Sequence, residues 1–172
     1  MPLYSGSTKV GELYLGDTKV GEGWIWDGSE WVQVYASTQP LSSMKMQRTT
    51  TQNLAAASTY EKITSMVAAG THPATVIVDN ELEADGDGSW KLDVEITHSS
   101  TSSATGVRVL RKPVGGSYSV LQTFSVTSGF HTGVSGSVTV PIAFGDLVRV
   151  EAMHSHSFSR GITSTTLTAT IQ

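Results

Sequence analysis

The sequence predicts an all-β protein, a small N-terminal β-hairpin and meander module followed by an antiparallel jelly-roll sandwich. Three observations carry that prediction. Apolar and charged residues alternate in segments such as Trp90-Lys91-Leu92-Asp93-Val94-Glu95-Ile96, the period of a half-buried strand. Clusters such as Asp85-Gly86-Asp87-Gly88 and Gly115-Gly116-Ser117 punctuate these segments as turns do. No long stretch carries the apolar period of about 3.6 residues that marks a helix, so a parallel sheet with crossover helices is not expected.

Composition narrows the function. The chain has 172 residues, 38% hydrophobic and 15% charged, with a formal net charge of -4. Low charge argues against a disordered, highly solvated chain. The scattered Lys and Arg give no basic footprint for nucleic acid. There is no cysteine, which excludes disulfides and cysteine-based zinc sites, so durability is expected from β pairing and oligomerisation. No segment approaches the roughly 20 apolar residues of a membrane span, and membrane insertion is not expected. Met1-Pro2-Leu3-Tyr4 lacks the basic and apolar regions of a signal peptide.

Residues 1–35 contain a tandem repeat. Leu3–Glu12 reads LYSGSTKVGE and Leu13–Glu22 reads LYLGDTKVGE. Each copy reads as strand, tight turn and strand, with Gly6 or Gly16 at the reversal, and the pair as a small meander. The following stretch holds Trp24, Trp26, Asp27-Gly28, Trp31 and Tyr35. Asp-Gly between aromatic and β-branched residues is a strong hairpin signal. Simple alternation would set Trp24, Trp26, Val32 and Val34 on one face, with Trp31 and Tyr35 on the other. A module this small buries little core alone, so its aromatics are candidate contacts.

Residues 36–45 read as a linker, and 46–172 as the main domain. Met44, Met46 and Arg48 alternate with Lys45 and Gln47 as an opening strand. Asn53–Ser58 suggests a helical turn. Further strands are expected over Ile63–Val67, Thr75–Val78, Trp90–Ile96, Gly106–Leu110, Tyr118–Val126, Gly136–Ile142, Leu147–Ala152 and Ile162–Ile171. Roughly eight strands at this spacing suit a jelly roll.

Two resemblances follow from these residues. Gly88-Ser89-Trp90-Lys91-Leu92-Asp93-Val94-Glu95-Ile96 is similar to the G-x-Y-x-V-x-V strand of C1q and tumour-necrosis-factor-like jelly rolls, with Trp90 in place of the usual Tyr. Ile142-Ala143-Phe144-Gly145-Asp146-Leu147-Val148-Arg149-Val150-Glu151-Ala152 resembles their L-x-x-G-D-x-V-x-V-x-A strand, and Thr163–Ile171 their closing strand. The likeness spans about Met46 to Gln172 and implies a homotrimer. The N-terminal units and the Trp-Asp-Gly-Ser-x-Trp-Val hairpin resemble the start of bacteriophage minor tail and tail-fibre proteins.

Candidate chemistry is sparse. His154 and His156 form an H-x-H pair that a continuous strand would point to one face, a weak metal candidate. His131 would be tripled near a trimer axis. Asp79, Glu81, Glu83, Asp85 and Asp87 make an acidic stretch that reads better as a solvated turn than as a calcium loop, lacking the full ligand spacing. No nucleophile elbow, P-loop or dinucleotide fingerprint is present, so no catalytic residue and no cofactor are expected.

The resulting expectation is a non-enzymatic structural protein of a bacteriophage virion. It is read as a homotrimeric tail-associated protein, anchored to other virion proteins by its N-terminal hairpins and presenting the jelly roll to the host surface. Leu3, Tyr4, Leu13, Tyr14, Trp24, Trp26, Trp31 and Tyr35 are the candidate docking or inter-chain contacts. A capsid decoration protein is the rival reading. A carbohydrate-binding module stacking host glycans on Trp24, Trp26 and Trp31 is the second rival.

Overall fold

The computed structural model describes residues 40–172 other than Ala56. For residues 1–39 it describes the strand pairing of short segments, together with Ser29. Contacts divide the chain into two compact units, residues 1–39 and 40–172. All pairing between strands is antiparallel, and there is no helix among the described residues.

The first unit consists of successive hairpins. Strands β1 (Tyr4–Ser5) and β2 (Thr8–Lys9) pair, as do β3 (Leu13–Leu15) with β4 (Thr18–Val20), and β5 (Glu22–Trp26) with β6 (Trp31–Ala36). Within each repeat the two strands pair with one another, and each pair is a two-stranded sheet among the described residues.

The second unit is a two-layered jelly roll. It comprises β7 (Met44–Arg48), β8 (Gln52–Leu54), β9 (Glu61–Lys62), β10 (Val67–Ala68), β11 (Ile77–Val78), β12 (Glu81–Glu83), β13 (Gly88–Thr101), β14 (Thr105–Lys112), β15 (Ser119–Val126), β16 (His131–Ile142), β17 (Leu147–His154) and β18 (Arg160–Ile171). The first sheet runs β10-β7-β18-β13-β16, with β8 also on β18. The second runs β11-β12-β17-β14-β15, with β9 also on β17. Two local expectations fail. Residues 52–54 pair with β18 as strand β8 rather than starting a helical turn. Residues 63–67 yield only the start of β10, because Ile63 is a connecting residue buried in the core.

The core follows from period-two alternation. In β13, Trp90, Leu92, Val94 and Ile96 are buried while Lys91, Asp93 and Glu95 are not. Facing residues of the second sheet include Leu82, Val107, Val109, Val148, Val150 and Ala152, all within one cluster. Trp90 is wholly buried, and its indole N–H donates to the Ser42 carbonyl at 2.9 Å, so the one polar atom of the ring is satisfied. Leu41, within the stretch expected to be linker, and Met44, expected at the start of the opening strand, are both core residues, and Pro40 bridges Asp87. Polar neighbours hid Leu41.

The Gly-Asp turn before β17 is structural. Gly145 has φ of 79°, a conformation that suits glycine, and its N–H donates to the Ala84 carbonyl at 2.8 Å. The buried Asp146 carboxylate accepts from the Ala143 N–H at 2.9 Å and from Arg111 Nε at 2.8 Å. One side chain thus ties the turn, β14 and the entry to β17.

Candidate functional site

Three surfaces of the jelly roll carry polar side chains in number: the outer face of each sheet and one loop end. On the second sheet, Arg108, Glu151 and Lys62 lie side by side by register across β14, β17 and β9. Arg108 Nη2 and Arg149 Nη2 each reach the Glu151 carboxylate at 2.6 Å. Lys62 Nζ lies 2.6 Å from Glu81 and 3.0 Å from Asp79. The Tyr118 hydroxyl donates to Glu81 at 2.6 Å, and the Arg149 guanidinium stacks on the Tyr118 ring with 3.6 Å to its centroid. Arg108 likewise covers Tyr60 at 4.3 Å. Both Glu81 and Glu151 are buried by these partners, as buried carboxylates must be.

Protonation follows the contacts. Burial opposes the charge on Lys62, but hydrogen bonds to Glu81 and Asp79 outweigh it and hold the ammonium above its ordinary pKa. Burial and the bond to Glu81 push the Tyr118 phenol up. Burial raises Tyr60, against the pull of Arg108. The Lys62 hydrogen bond lowers Asp79. The remaining carboxylates of the acidic stretch include Asp85, which accepts the Ser42 N–H at 2.9 Å, and Asp87, which accepts the Phe144 N–H at 2.9 Å. Asp79, Glu81, Asp85 and Asp87 are thus engaged in separate internal contacts.

The outer face of the first sheet is built otherwise. Lys45, Thr168, Asp93 and Ser137 form one row across β7, β18, β13 and β16, and Gln47, Thr166, Glu95 and Ser135 form the next. Hydroxyls dominate, and Lys91–Asp93 at 3.1 Å is an ion pair with both side chains more than 40% exposed. A shallow depression of about 420 Å³ opens over Lys45, Asp93, Glu95, Ser137 and Thr168. The adjoining flank is sparsely covered. No residue of β15 is buried, and in β16 only Val134, Val140 and Ile142 are. Phe124 of β15 lies over Gly136 of β16, where an added Cβ would meet the ring at 2.2 Å.

The loop end joins β13 to β14, β15 to β16 and β17 to β18. It carries Phe130 and Phe158, 85% and 74% exposed. Here the metal reading of His154 and His156 is corrected. β17 stops at His154, so the strand does not continue to align His156. The His156 N–H donates to His154 Nδ1 at 3.2 Å, which leaves the proton on Nε2 to donate to the Leu54 carbonyl at 3.2 Å. Both ring nitrogens of His154 are consumed. The same end brings together His98, His131 and Arg160. Sequence reading named His131 and missed His98, because nothing local marks a pair that only the β13–β16 register creates.

Of the candidate contacts in the first unit, Leu3 lies outside the described residues. Tyr4 falls on β1, Leu13 and Tyr14 on β3, Trp24 and Trp26 on β5, and Trp31 and Tyr35 on β6. The register pairs Trp26 with Trp31 and Ile25 with Val32, and it shifts between Gly23 and Trp24.

No protein-family model and no curated protein matches the chain. Solved structures do match its fold. The tumour-necrosis-factor protein Eiger of S. frugiperda aligns with a TM-score of 0.57 at 9% identity, covering 78% of this chain and 94% of that one. Murine APRIL aligns at 0.53 and 13% identity, covering 76% and 100%. The globular domain of zebrafish complement 1qA aligns at 0.52 and 13%, covering 76% and 96%. The fold is that of the C1q and tumour-necrosis-factor jelly rolls.

Proposed function

We propose that this protein is a non-enzymatic structural subunit of a bacteriophage particle that works as a homotrimer. The observation that carries the self-association is the β15–β16 flank. Its two long neighbouring strands lie beside a well-packed core yet are mostly uncovered, and an exposed sheet flank calls for a partner. A second copy of the chain supplies one, with the flank of one copy set against the hydroxyl-rich face of the next. Three copies then offer three N-terminal units at once, and avidity multiplies weak individual contacts.

The N-terminal hairpins are the anchoring element in this reading. Their tandem repeat and clustered Trp residues suit docking onto another virion protein of the tail. A capsid site would use the same hairpins, and locating the protein on assembled particles separates the two. The test is to replace Trp24, Trp26 and Trp31 by Ala in the full-length chain. Particle incorporation should fall while the jelly roll stays folded. Unchanged incorporation with lost glycan binding would overturn the anchoring role in favour of sugar recognition.

A further inference from the structure

Three buried nitrogens at the loop end have no partner among the described residues: His98 Nε2, His131 Nε2 and Arg160 Nε. Buried polar atoms are nearly always satisfied, so three orphans at one end of the sandwich call for an explanation, and a bound water or ion is one. The His98 side chain belongs to a residue only 7% exposed. Its Nδ1 lies 2.8 Å from the Ser99 carbonyl oxygen, and His131 Nδ1 lies 3.0 Å from that of Gly129. A carbonyl can only accept. Both protons therefore sit on Nδ1, and both Nε2 atoms present lone pairs. Anchoring Nδ1–H on a carbonyl is how proteins orient a histidine that binds metal through Nε2.

The spacing suits a shared ion. The two ring centroids are 5.2 Å apart, with the planes at 86°. Two imidazoles on one tetrahedral ion, with metal–nitrogen bonds of about 2.0–2.1 Å, place their centres about 5 Å apart. The neighbouring strands hold the rings in place, with His131 paired to Thr101 and His98 to Ile162. Beside His98 and Arg160, on a side that His131 does not line, is a cavity of about 10 Å³, room for one water-sized molecule.

We propose that His98 and His131 form a two-histidine site for a borderline divalent cation such as Zn²⁺. A water or small anion in the cavity beside His98 would accept the Arg160 Nε–H, and an anion there would offset the repulsion between the guanidinium and the cation. Among the described residues no group of three or more His, Cys, Asp or Glu side chains stands together. The ion therefore keeps exchangeable positions, unlike a closed four-ligand structural site.

The test uses the metal-stripped full-length protein with ¹⁵N-labelled histidines. On titration with Zn²⁺ near neutral pH, the Nε2 resonances of His98 and His131 should move together and saturate at one ion per chain. By calorimetry, His98→Gln and His131→Gln should each weaken zinc binding by about tenfold or more, since even loss of a supporting contact has an effect of that size. His72→Gln should not. If Zn²⁺ leaves both resonances in place, or neither His98→Gln nor His131→Gln changes the affinity, the proposal is overturned and the orphaned nitrogens are served by water. The resonance measurement needs no substitution, so a variant that fails to fold leaves it decisive.

Discussion

The two outer faces of the sandwich solve the same problem in opposite ways. The second sheet covers itself: Arg108, Arg149, Lys62, Glu81, Glu151, Tyr60 and Tyr118 form one connected network whose carboxylates are buried without any other chain. The first sheet presents rows of Ser and Thr and an exposed Lys91–Asp93 pair, and beside it lies the thinly covered flank formed by its edge strand β16 and the second sheet's edge strand β15. A face whose carboxylates are already paired gains little from a partner, and desolvating it again would cost. A face of short hydroxyls loses little side-chain entropy on contact. The contrast assigns assembly to the outer face of the first sheet and the β15–β16 flank, and structural stability to the outer face of the second sheet.

Breaking the network should have the largest effect. Glu81→Ala removes the shared acceptor of Lys62 and Tyr118 and leaves their polar groups half-buried. The expected loss is about 3–5 kcal/mol, the usual cost of breaking a buried pair, read from denaturant midpoints. A loss under about 1 kcal/mol would mean that solvent already carries these charges.

Next comes the flank. Gly136→Ala puts a methyl group into the Phe124 ring, and overpacking of this kind costs about 1–3 kcal/mol. Pairing it with Phe124→Ala should cost less than the sum of the two single changes, because the obstruction is gone. Additive losses would show that the ring and the glycine do not limit one another.

Smaller changes are expected with pH. Burial first, then the nearby His131 and Arg160 charges, lower the His98 pKa against the pull of its Ser99 hydrogen bond. A depressed folded-state pKa gives stability that is complete above the ordinary histidine value of 6.5 and is lost as pH falls from there through the folded value. The melting temperature should therefore drop on acidification below that point, and His98→Asn should flatten the drop. On the alkaline side, the raised Lys62 and Tyr118 values give stability present below their ordinary pKa values and lost as pH rises through the folded ones. The smallest effect belongs to the first sheet. Lys91→Ala removes an exposed pair and should change chain stability by no more than about 1 kcal/mol.

What the sequence made legible was whatever has a local period. Trp90 through Ile96 read as a half-buried strand and is one, because alternation alone decides which side chains face the core. Arg48 fell in step with Met44 and Met46, and it is buried with them, its guanidinium donating to the Thr50, Thr51 and Thr64 carbonyls. What failed depends on where a strand ends or what crosses a sheet. His154 and His156 were aligned only on the premise of a strand that stops at His154. Leu41 looked like linker because composition is blind to a single core contact. The pairing of His98 with His131, and of Glu81 with Lys62, Tyr118 and Arg149, comes from long-range register that no short pattern encodes.

If the β15–β16 flank and the hydroxyl-rich face of the first sheet join copies of the chain, light scattering of the purified full-length protein at several concentrations will give a concentration-independent mass three times that of the 18.3 kDa chain. A mass equal to one chain throughout would contradict it.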